Sequence, residues 1–551
     1  MNEKHRIAAA VPKLKVADVP YNTAEIIRLT EEAAGNGAEL ILFPAFALTG
    51  ATCGNLFHLP DLQESIRRSR TQLNSVLPLI LTRYNKPIRA VLFNDALYES
   101  CPAGEHNAPC TGKRPEKCSL ALFPAVEPAG PERADNRKKY FSGQTGVSVF
   151  ASAGIYETTT DGVCDGHAMI WEEGRLLAES ERFCRESRII YADVNCDPED
   201  FTVVRWDMDH APYQAADAAH PFIPADRNPV CEEIFNIQVT GLLRRLEASY
   251  SQRAVLGISG GLDSTLAILV TAEAVKRLGW TPDRLIAITM PGFGTTNRTK
   301  SNSEKLSELL GCDLRTVDIT KACLQHFEDI GHDPADLSVT YQNVQARERT
   351  QILMDTANRE GGIVVGTGDL SEIALGWSTY NGDHMSMYNV NCSIPKTLIR
   401  VMTDWYADKT GGEVGAVLKD VLATPISPEL LPADKDGNIA QETESLLGPY
   451  ELHDFFLYHF ILQKIGLNAI FSAAREAFGT KYTVPEILRV LEIFIKRFFS
   501  QQFKRSCSPD GPNATGLSLS PRKGGWTMPS DAAAAVWLCE LEKIRKEQGE
   551  Q

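Results

Sequence analysis

The chain reads as an α/β protein built from two unlike units, and three observations carry that reading. Short apolar runs alternate with amphipathic helical stretches in two separate blocks, the pattern of strands and helices packed in layers. In the later block AVLGI, RLIAITM and GIVVGT, with RTVDI between them, are short apolar runs, as strands of a parallel sheet covered on both faces must be. A length of 551 residues also exceeds what one hydrophobic core comfortably serves. The expected division is a first domain at 1–196, a connector and entry helix at 197–245, and a second domain at 246–551 ending in a helical region.

In the first block IAAAV predicts a strand, AEIIRLTEEAAGNGA an amphipathic helix stopping near glycine, and ELILFP a strand closed by proline. AVLF, VSVFASAG and HAMIWEE continue the strands, and EEGR reads as a turn. The stretch DPEDFTVVRWDMDHAPYQAADAAHPFIPADRNP has weak periodicity and recurrent Asp and Pro, which predicts an irregular connector. EEIFNIQVTGLLRRLEASYS then reads as the helix that opens the second domain. Beyond residue 446, LHDFFLYHFILQKIG and VLEIFIKRFFSQQFKRS read as amphipathic helices of a cap or an oligomer face.

Composition narrows the function classes. With 43% hydrophobic and 23% charged residues the chain is that of a folded protein. A formal charge of -15 argues against a general nucleic-acid or anionic-membrane binder, while leaving room for a local basic pocket. No stretch reaches the length needed to cross a bilayer, and the 13 cysteines lie scattered, without a CxxC pair or Cys/His cluster. The expectation is a soluble cytoplasmic protein with free thiols and no structural zinc.

Chemistry concentrates in three loops at the expected carboxyl ends of the second block's strands: 259–264, 291–300 and 366–372. After the strand ending at Ile258, Ser259, Gly260 and Gly261 turn sharply before a helix beginning near Asp263. Backbone N–H groups and the Ser259 and Ser264 hydroxyls then face one cavity, a nest suited to pyrophosphate. A carboxylate beside phosphate is repulsive unless a cation lies between, so Asp263 implies Mg2+. A helix cap is the competing role for Asp263. The GxxxxGK[ST] loop of terminal-phosphate chemistry is absent. Thr367 follows a second buried strand, and Glu372 lies five residues beyond it, placed to be the other metal acid or, alternatively, a surface helix acid.

Together, SGGLDS, MPGFGTTNRTKSNSEKL, NVQARERTQILMDTAN, GTGDLSEIALGWSTYNGDHMSMYNVN and PYELHDFFLYHF resemble the NAD synthetases, a branch of the ATP pyrophosphatases; SGGLDS alone leaves GMP synthetase, asparagine synthetase and tRNA-modifying enzymes open. The likeness spans about 245–530, and FKRSCSPDGPNATGLSLSPR resembles the ending of the longer, glutamine-type members. It implies a parallel-sheet ATP pyrophosphatase domain and a ligase. ATP adenylates the nicotinate carboxylate of deamido-NAD, pyrophosphate leaves, and ammonia displaces AMP to give NAD. It further implies ATP phosphate contact by Lys396 and Thr367, and deamido-NAD binding by Arg347, Asp383, Asn391 and Lys504. Arg349 belongs to the same nucleotide or subunit surface, and Lys504 with Arg505 also fits a solvated basic turn.

The first block resembles the nitrilase-like glutaminase domain fused to those longer synthetases, and departs from it at the chemistry. Ala45 stands where the family carries its catalytic Glu after FP, and Ala125 where the catalytic Lys would follow proline. No CEDLW-like nucleophile segment occurs; only QTGVSVF separates KKYFSG from ASAGIYETTTDG. Cys53 and Cys164 read as packing residues, and a shifted lysine, for example Lys138, is the replacement to consider. The expectation is a non-catalytic domain, free ammonia as nitrogen source, and a homo-oligomer that covers the edge left by the missing strand. The alternatives are a glutamine-dependent synthetase working through unrecognised residues or a partner, and a non-catalytic nucleotide-binding protein.

Overall fold

Alternation in HRIAAAV places Ile7, Ala9 and Val11 on one face of the first strand and Ala8 and Ala10 on the other, and both faces are buried. The computed structural model describes residues 4–84, 88–92, 110–111, 119–206, 213–294, 297–424, 443–522 and 524–549. They fall into two compact units, Met1–Ala211 and Pro212–Gln551.

The first unit runs β1 (His5–Val11), α1 (Val19–Gly35), β2 (Leu40–Leu42), α2 (Pro60–Tyr84), β3 (Arg89–Val91), β4 (Cys110–Thr111), β5 (Leu120–Ala125), α3 (Arg133–Ser142), β6 (Val147–Ser152), β7 (Ala168–Glu172), β8 (Arg175–Glu179), β9 (Arg188–Val194) and β10 (Phe201–Arg205). One sheet has the order β3-β2-β1-β9 and the other β4-β10-β5-β6-β7-β8. Ile7, Leu40, Leu122, Val149 and Ile170 close the layer between them. Ile26 and Leu29 of α1 and Leu73 of α2 cover the outer face of the first sheet, while Phe141 of α3 packs on Phe123 and Phe150 of the second. The result is a four-layer sandwich.

Two sequence expectations change here. The stretch read as irregular connector contributes β10, whose Phe201, Thr202 and Val203 pair in parallel with Leu120, Ala121 and Leu122 of β5. FTVV is a short β-prone run, hidden in sequence by the Asp and Pro around it. The edge of β5 is therefore paired, and the open edge from which a homo-oligomer was argued is not present there. Phe93 of AVLF lies outside the described residues.

The second unit continues with α4 (Arg227–Ala248), β11 (Arg253–Gly257), α5 (Leu262–Arg277), β12 (Leu285–Thr289), α6 (Asn297–Leu310), β13 (Asp313–Thr316), α7 (Thr320–Ile330), α8 (Val339–Glu360), β14 (Gly362–Gly366), α9 (Leu370–Leu375), β15 (Tyr388–Asn389), α10 (Lys396–Thr410) and α11 (Gly412–Leu422). A helical region follows: α12 (Thr443–Leu447), α13 (Tyr450–Leu457), α14 (Leu467–Phe478), α15 (Val484–Ser500), α16 (Gln502–Arg505) and α17 (Ala535–Glu547). The sheet order is β13-β12-β11-β14-β15, parallel throughout. Strand order reverses direction at β11, between β12 and β14, which opens a crevice beyond their carboxyl ends. The Thr483–Glu486 capping box starts α15, whose Leu488, Leu491, Phe494, Ile495 and Phe498 are buried. Among the described residues no helix is long and apolar enough to cross a membrane.

Candidate active site

Each acid at the crevice is aimed by a short local device. Gly260 takes a left-handed φ of 83°, a conformation cheap for glycine and costly for other residues. The turn is tied by Gly261 N–H donating to Ser259 Oγ at 3.2 Å, and by Ser264 Oγ and Thr265 Oγ1 donating to the Gly261 carbonyl at 3.1 and 2.8 Å. This sets Asp263 in the first turn of α5. Beyond β14, Asp369 caps α9 by accepting from Glu372 N–H at 2.8 Å, which fixes the turn that carries Glu372.

Lys396, the first residue of α10, is buried at 1% exposure. Its Nζ lies 2.7 Å from Asp263 Oδ2, 2.6 Å from Asp369 Oδ2 and 2.9 Å from Glu372 Oε1. Burial opposes the charge of Lys396, but the three carboxylates overcome it and hold the ammonium well above its ordinary range. Burial raises Asp263 and Glu372, and neighbouring acids add to the rise while Lys396 opposes it. Three acids against one ammonium leave the fully ionised cluster two negative charges in excess.

Behind the cluster, Asp454 of α13 accepts from Ser371 Oγ, from Thr397 N–H at 3.1 Å and from Thr397 Oγ1 at 2.7 Å, while Lys396 N–H donates to Ser371 Oγ at 2.8 Å. These bonds lock α9 to the start of α10. Burial pushes Asp454 up to about 6. Asn391 ties the two loops together, donating to the carbonyls of Asp263 and Thr367 at 3.0 and 3.1 Å.

Asp263, Glu372, Lys396, Thr367 and the 259–264 loop line a cavity of about 830 Å³, with Arg347, Asp383 and Lys504 on its wall, while Asp369 is fully buried. Asn391, assigned to deamido-NAD by resemblance, is fully buried and is not on that wall; it braces the loops from behind. Arg349 lines the cavity and donates from Nε to the Met290 carbonyl at 3.1 Å. Lys504 Nζ donates to the carbonyls of Gly376 and Ser378 at 2.8 and 2.6 Å, and Arg505 is buried, donating to the Ala374 carbonyl at 2.8 Å. A solvated basic turn does not describe either residue. In the loop 291–300, positions 295 and 296 lie outside the described residues.

Sequence reasoning missed Asp369, Asp454 and Tyr450. Asp369 carried a signal, being an Asp directly before a helix start in GTGDLSE; Asp454 carried another, a lone acid inside the apolar run LHDFFLY.

The family model described as NAD synthase matches residues 234–470. A glutamine-dependent NAD(+) synthetase of Mycobacterium leprae is 39% identical over 449 residues, covering 72% of this chain and 66% of the relative. Residues 234–470 carry the NAD synthase family match, and the chain resembles glutamine-dependent NAD(+) synthetases. It spans just under two thirds of the length of the curated relatives it matches first. A solved glutamine-dependent NAD(+) synthetase from Cytophaga hutchinsonii shares the fold, with TM-score 0.75, 16% identity, and coverage of 98% of this chain and 100% of that one. One from Acinetobacter baumannii, in complex with ADP, gives TM-score 0.60 and 18% identity over 94% and 97%. The architecture is a nitrilase-like sandwich followed by a parallel-sheet ATP pyrophosphatase domain with a helical C-terminal region.

In this NAD synthase relative the first unit offers little for acyl transfer at the positions named from sequence. Ala45 and Ala125 are buried, Ala125 opposite Ser152 at the end of β5. Burial, reinforced by Glu157, pushes the Cys53 and Cys164 thiols up, away from the reactive thiolate. Lys138 is paired with Glu179 at 2.8 Å.

Proposed function

We propose that the chain catalyses ATP-dependent amidation of deamido-NAD to NAD, with release of AMP and pyrophosphate. One observation carries the reading. Asp263, Asp369, Glu372 and Lys396 converge beside the Ser259–Gly261 turn, and all but the fully buried Asp369 stand on the wall of a cavity at the sheet's switch point. Backbone donors of that turn and the α5 N-terminus hold the β- and γ-phosphates of ATP, and the glycines let them approach closely. Lys396 and Thr367 contact the phosphates. Arg347, Asp383 and Lys504 position deamido-NAD so that its nicotinate carboxylate attacks the α-phosphorus, forming the acyl-adenylate as the bond to pyrophosphate breaks. Ammonia then adds to the activated carbonyl, AMP leaves, and NAD forms with loss of a proton.

The donor set fits Mg2+: ligand oxygens of Asp263, Asp369 and Glu372 lie within 4.8 Å of one another, and Asp263 Oδ1 has no hydrogen-bond partner among the described residues. Bound there, Mg2+ supplies charge neutralisation for the polyphosphate as negative charge builds on it.

Two observations favour different nitrogen donors. The relatives are named glutamine-dependent, which supports glutamine delivered through residues or a partner outside the positions considered. Ala45, Ala125 and the buried thiols favour free ammonia, with the first unit kept for packing. A homo-oligomer belongs to the proposal and is checked by light scattering.

The assay supplies purified protein with ATP, Mg2+ and deamido-NAD, and compares ammonium with ammonia-free glutamine while NAD, AMP and glutamate are measured. NAD with ammonium alone supports the ammonia reading; NAD from glutamine with matching glutamate establishes the other. Nucleotide binding without pyrophosphate release under any condition overturns the enzyme assignment.

A further inference from the structure

Lys396 stands at an unusual place for a residue meant only to touch a phosphate. Its ammonium is within 3 Å of all three carboxylates that make the cation position. It sits at 1% exposure with the Tyr450 ring 5.3 Å away, so bulk water does little to screen it. An ammonium and a divalent ion cannot share that position, because both need the same oxygens and their charges repel.

The ammonium also leaves the site incompletely satisfied. Among the described residues Asp263 Oδ1 and the Tyr450 hydroxyl have no hydrogen-bond partner, and Tyr450 is 2% exposed against the cluster. Buried polar atoms of this kind mark a place where something else binds. One ammonium set among three carboxyl groups points the same way.

We propose that the Lys396 ammonium is the built-in occupant of the cation position formed by Asp263, Asp369 and Glu372, and that arrival of a divalent ion with the triphosphate displaces it onto a phosphate oxygen. The proposal rests on the nucleotide reading above only for the displaced lysine's new partner. A lysine suits the role. Its flexible four-carbon stem lets one charge serve two positions, and Lys396 already lies on the cavity wall beside the 259–261 turn. While the acids are free of metal the lysine keeps them from repelling one another. Once the triphosphate is present, the acids keep a cation and the lysine gains an anion, so neither is left unpaired. Metal and nucleotide then bind cooperatively, and metal alone binds weakly.

The test titrates Mn2+ into the full chain without nucleotide, reading bound Mn2+ by electron paramagnetic resonance and following thermal melting. Lys396→Met removes the charge at similar size. It is expected to melt below wild type without metal, to bind Mn2+ at least about tenfold tighter than wild type, and to regain melting temperature as Mn2+ is added. Asp369→Asn in the Lys396→Met background loses that gain. In wild type a non-hydrolysable ATP analogue tightens Mn2+ binding, and in Lys396→Met this effect shrinks. If Lys396→Met fails to fold without metal, Lys396→Gln replaces it in the same titration. Mn2+ affinity no tighter in either variant than in wild type overturns the displacement. ATP–pyrophosphate exchange by wild type is measured separately: exchange with unchanged Mn2+ affinity sinks the displacement and keeps the enzyme reading, while tighter Mn2+ binding without exchange does the reverse.

Discussion

The two units each bury a group of charges, and the two groups are built on different arithmetic. In the first unit Arg137 is fully buried between Glu127 and Asp165, Arg182 reaches Asp165 at 3.1 Å, and Lys138 meets Glu179 at 2.8 Å. His167, held below its ordinary range by burial, joins Glu179 at 2.9 Å. Each of the three acids thus meets a cation directly, and Arg133 adds a further positive charge beside Glu127 and Asp165. In the second unit one lysine faces three acids beside a large cavity. A group whose acids are each met by a cation holds a fold together, whereas a group with acids in excess beside a cavity is prepared for something that arrives. Burial alone does not distinguish a structural charge from a functional one; the balance does.

The sharpest way to break the comparison is to remove one charge from each group. Arg137→Met leaves Glu127 and Asp165 buried without their cation, a change expected to cost about 3–5 kcal/mol of stability. Chemical denaturation measures it, and pyrophosphate release below the unfolding transition is expected to stay near wild type. Asp263→Asn or Glu372→Gln reverses the pattern. The fold persists by circular dichroism, while pyrophosphate release falls on the order of 10²–10³-fold, as when one preorganised charge-stabilising group is lost. Full activity in both acid variants, or loss of activity without loss of stability in Arg137→Met, ends the distinction.

A smaller effect tests the frame behind the cluster, where neighbours on α13 titrate in opposite senses. Burial raises Asp454 from 3.8 to about 6, so its contribution favours folding below pH 3.8 and is lost as pH climbs through 6. Burial lowers His453 from 6.5 to about 4, so its contribution favours folding above pH 6.5 and is lost as pH falls toward 4. Each displacement is worth ~3 kcal/mol. Between pH 4 and 6 the two nearly cancel. Relative to wild type at each pH, His453→Gln is expected to gain stability as pH drops from 6.5 to 4, and Asp454→Asn to lose it as pH drops from 6 to 3.8. Parallel curves for all three proteins in denaturation across that range refute the assignment.

What the sequence made legible follows from how local each device is. The SGGLDS turn and the Asp263 helix start are fixed within a few residues, and apolar runs announced β11, β12 and β14. Glycine and the β14 run placed Glu372 at the right end of the sheet. Lys396 could be matched by resemblance, but its position among three carboxylates depends on α5, α9 and α10 meeting, a tertiary fact with no local pattern. Asn391 shows the same limit: an Asn beside a substrate motif reads as a ligand contact, and the backbone it braces is visible only in the fold. β10 was hidden because its partner β5 is some 80 residues earlier, and pairing at that distance leaves no trace in a short window.

The smallest expected effect concerns Lys504, which belongs to neither extreme. Its Nζ is committed to the Gly376 and Ser378 carbonyls, so it secures the turn carrying Trp377 while standing on the cavity wall. Burial and the nearby Arg497 hold it below its ordinary range, partly offset by Asp383. If the side chain mainly shapes that wall, Lys504→Met loosens the turn without touching the acid cluster. The expected result is KM for deamido-NAD raised about tenfold, equivalent to ~1.4 kcal/mol of uniform binding, with kcat and KM for ATP within about twofold of wild type. Lys504→Arg, which keeps the charge and can still reach a carbonyl, recovers part of the loss. A fall in kcat at unchanged KM would instead place Lys504 with the charges that act on the reacting phosphate, extending the functional group of charges from the Lys396 cluster to the far wall of the cavity.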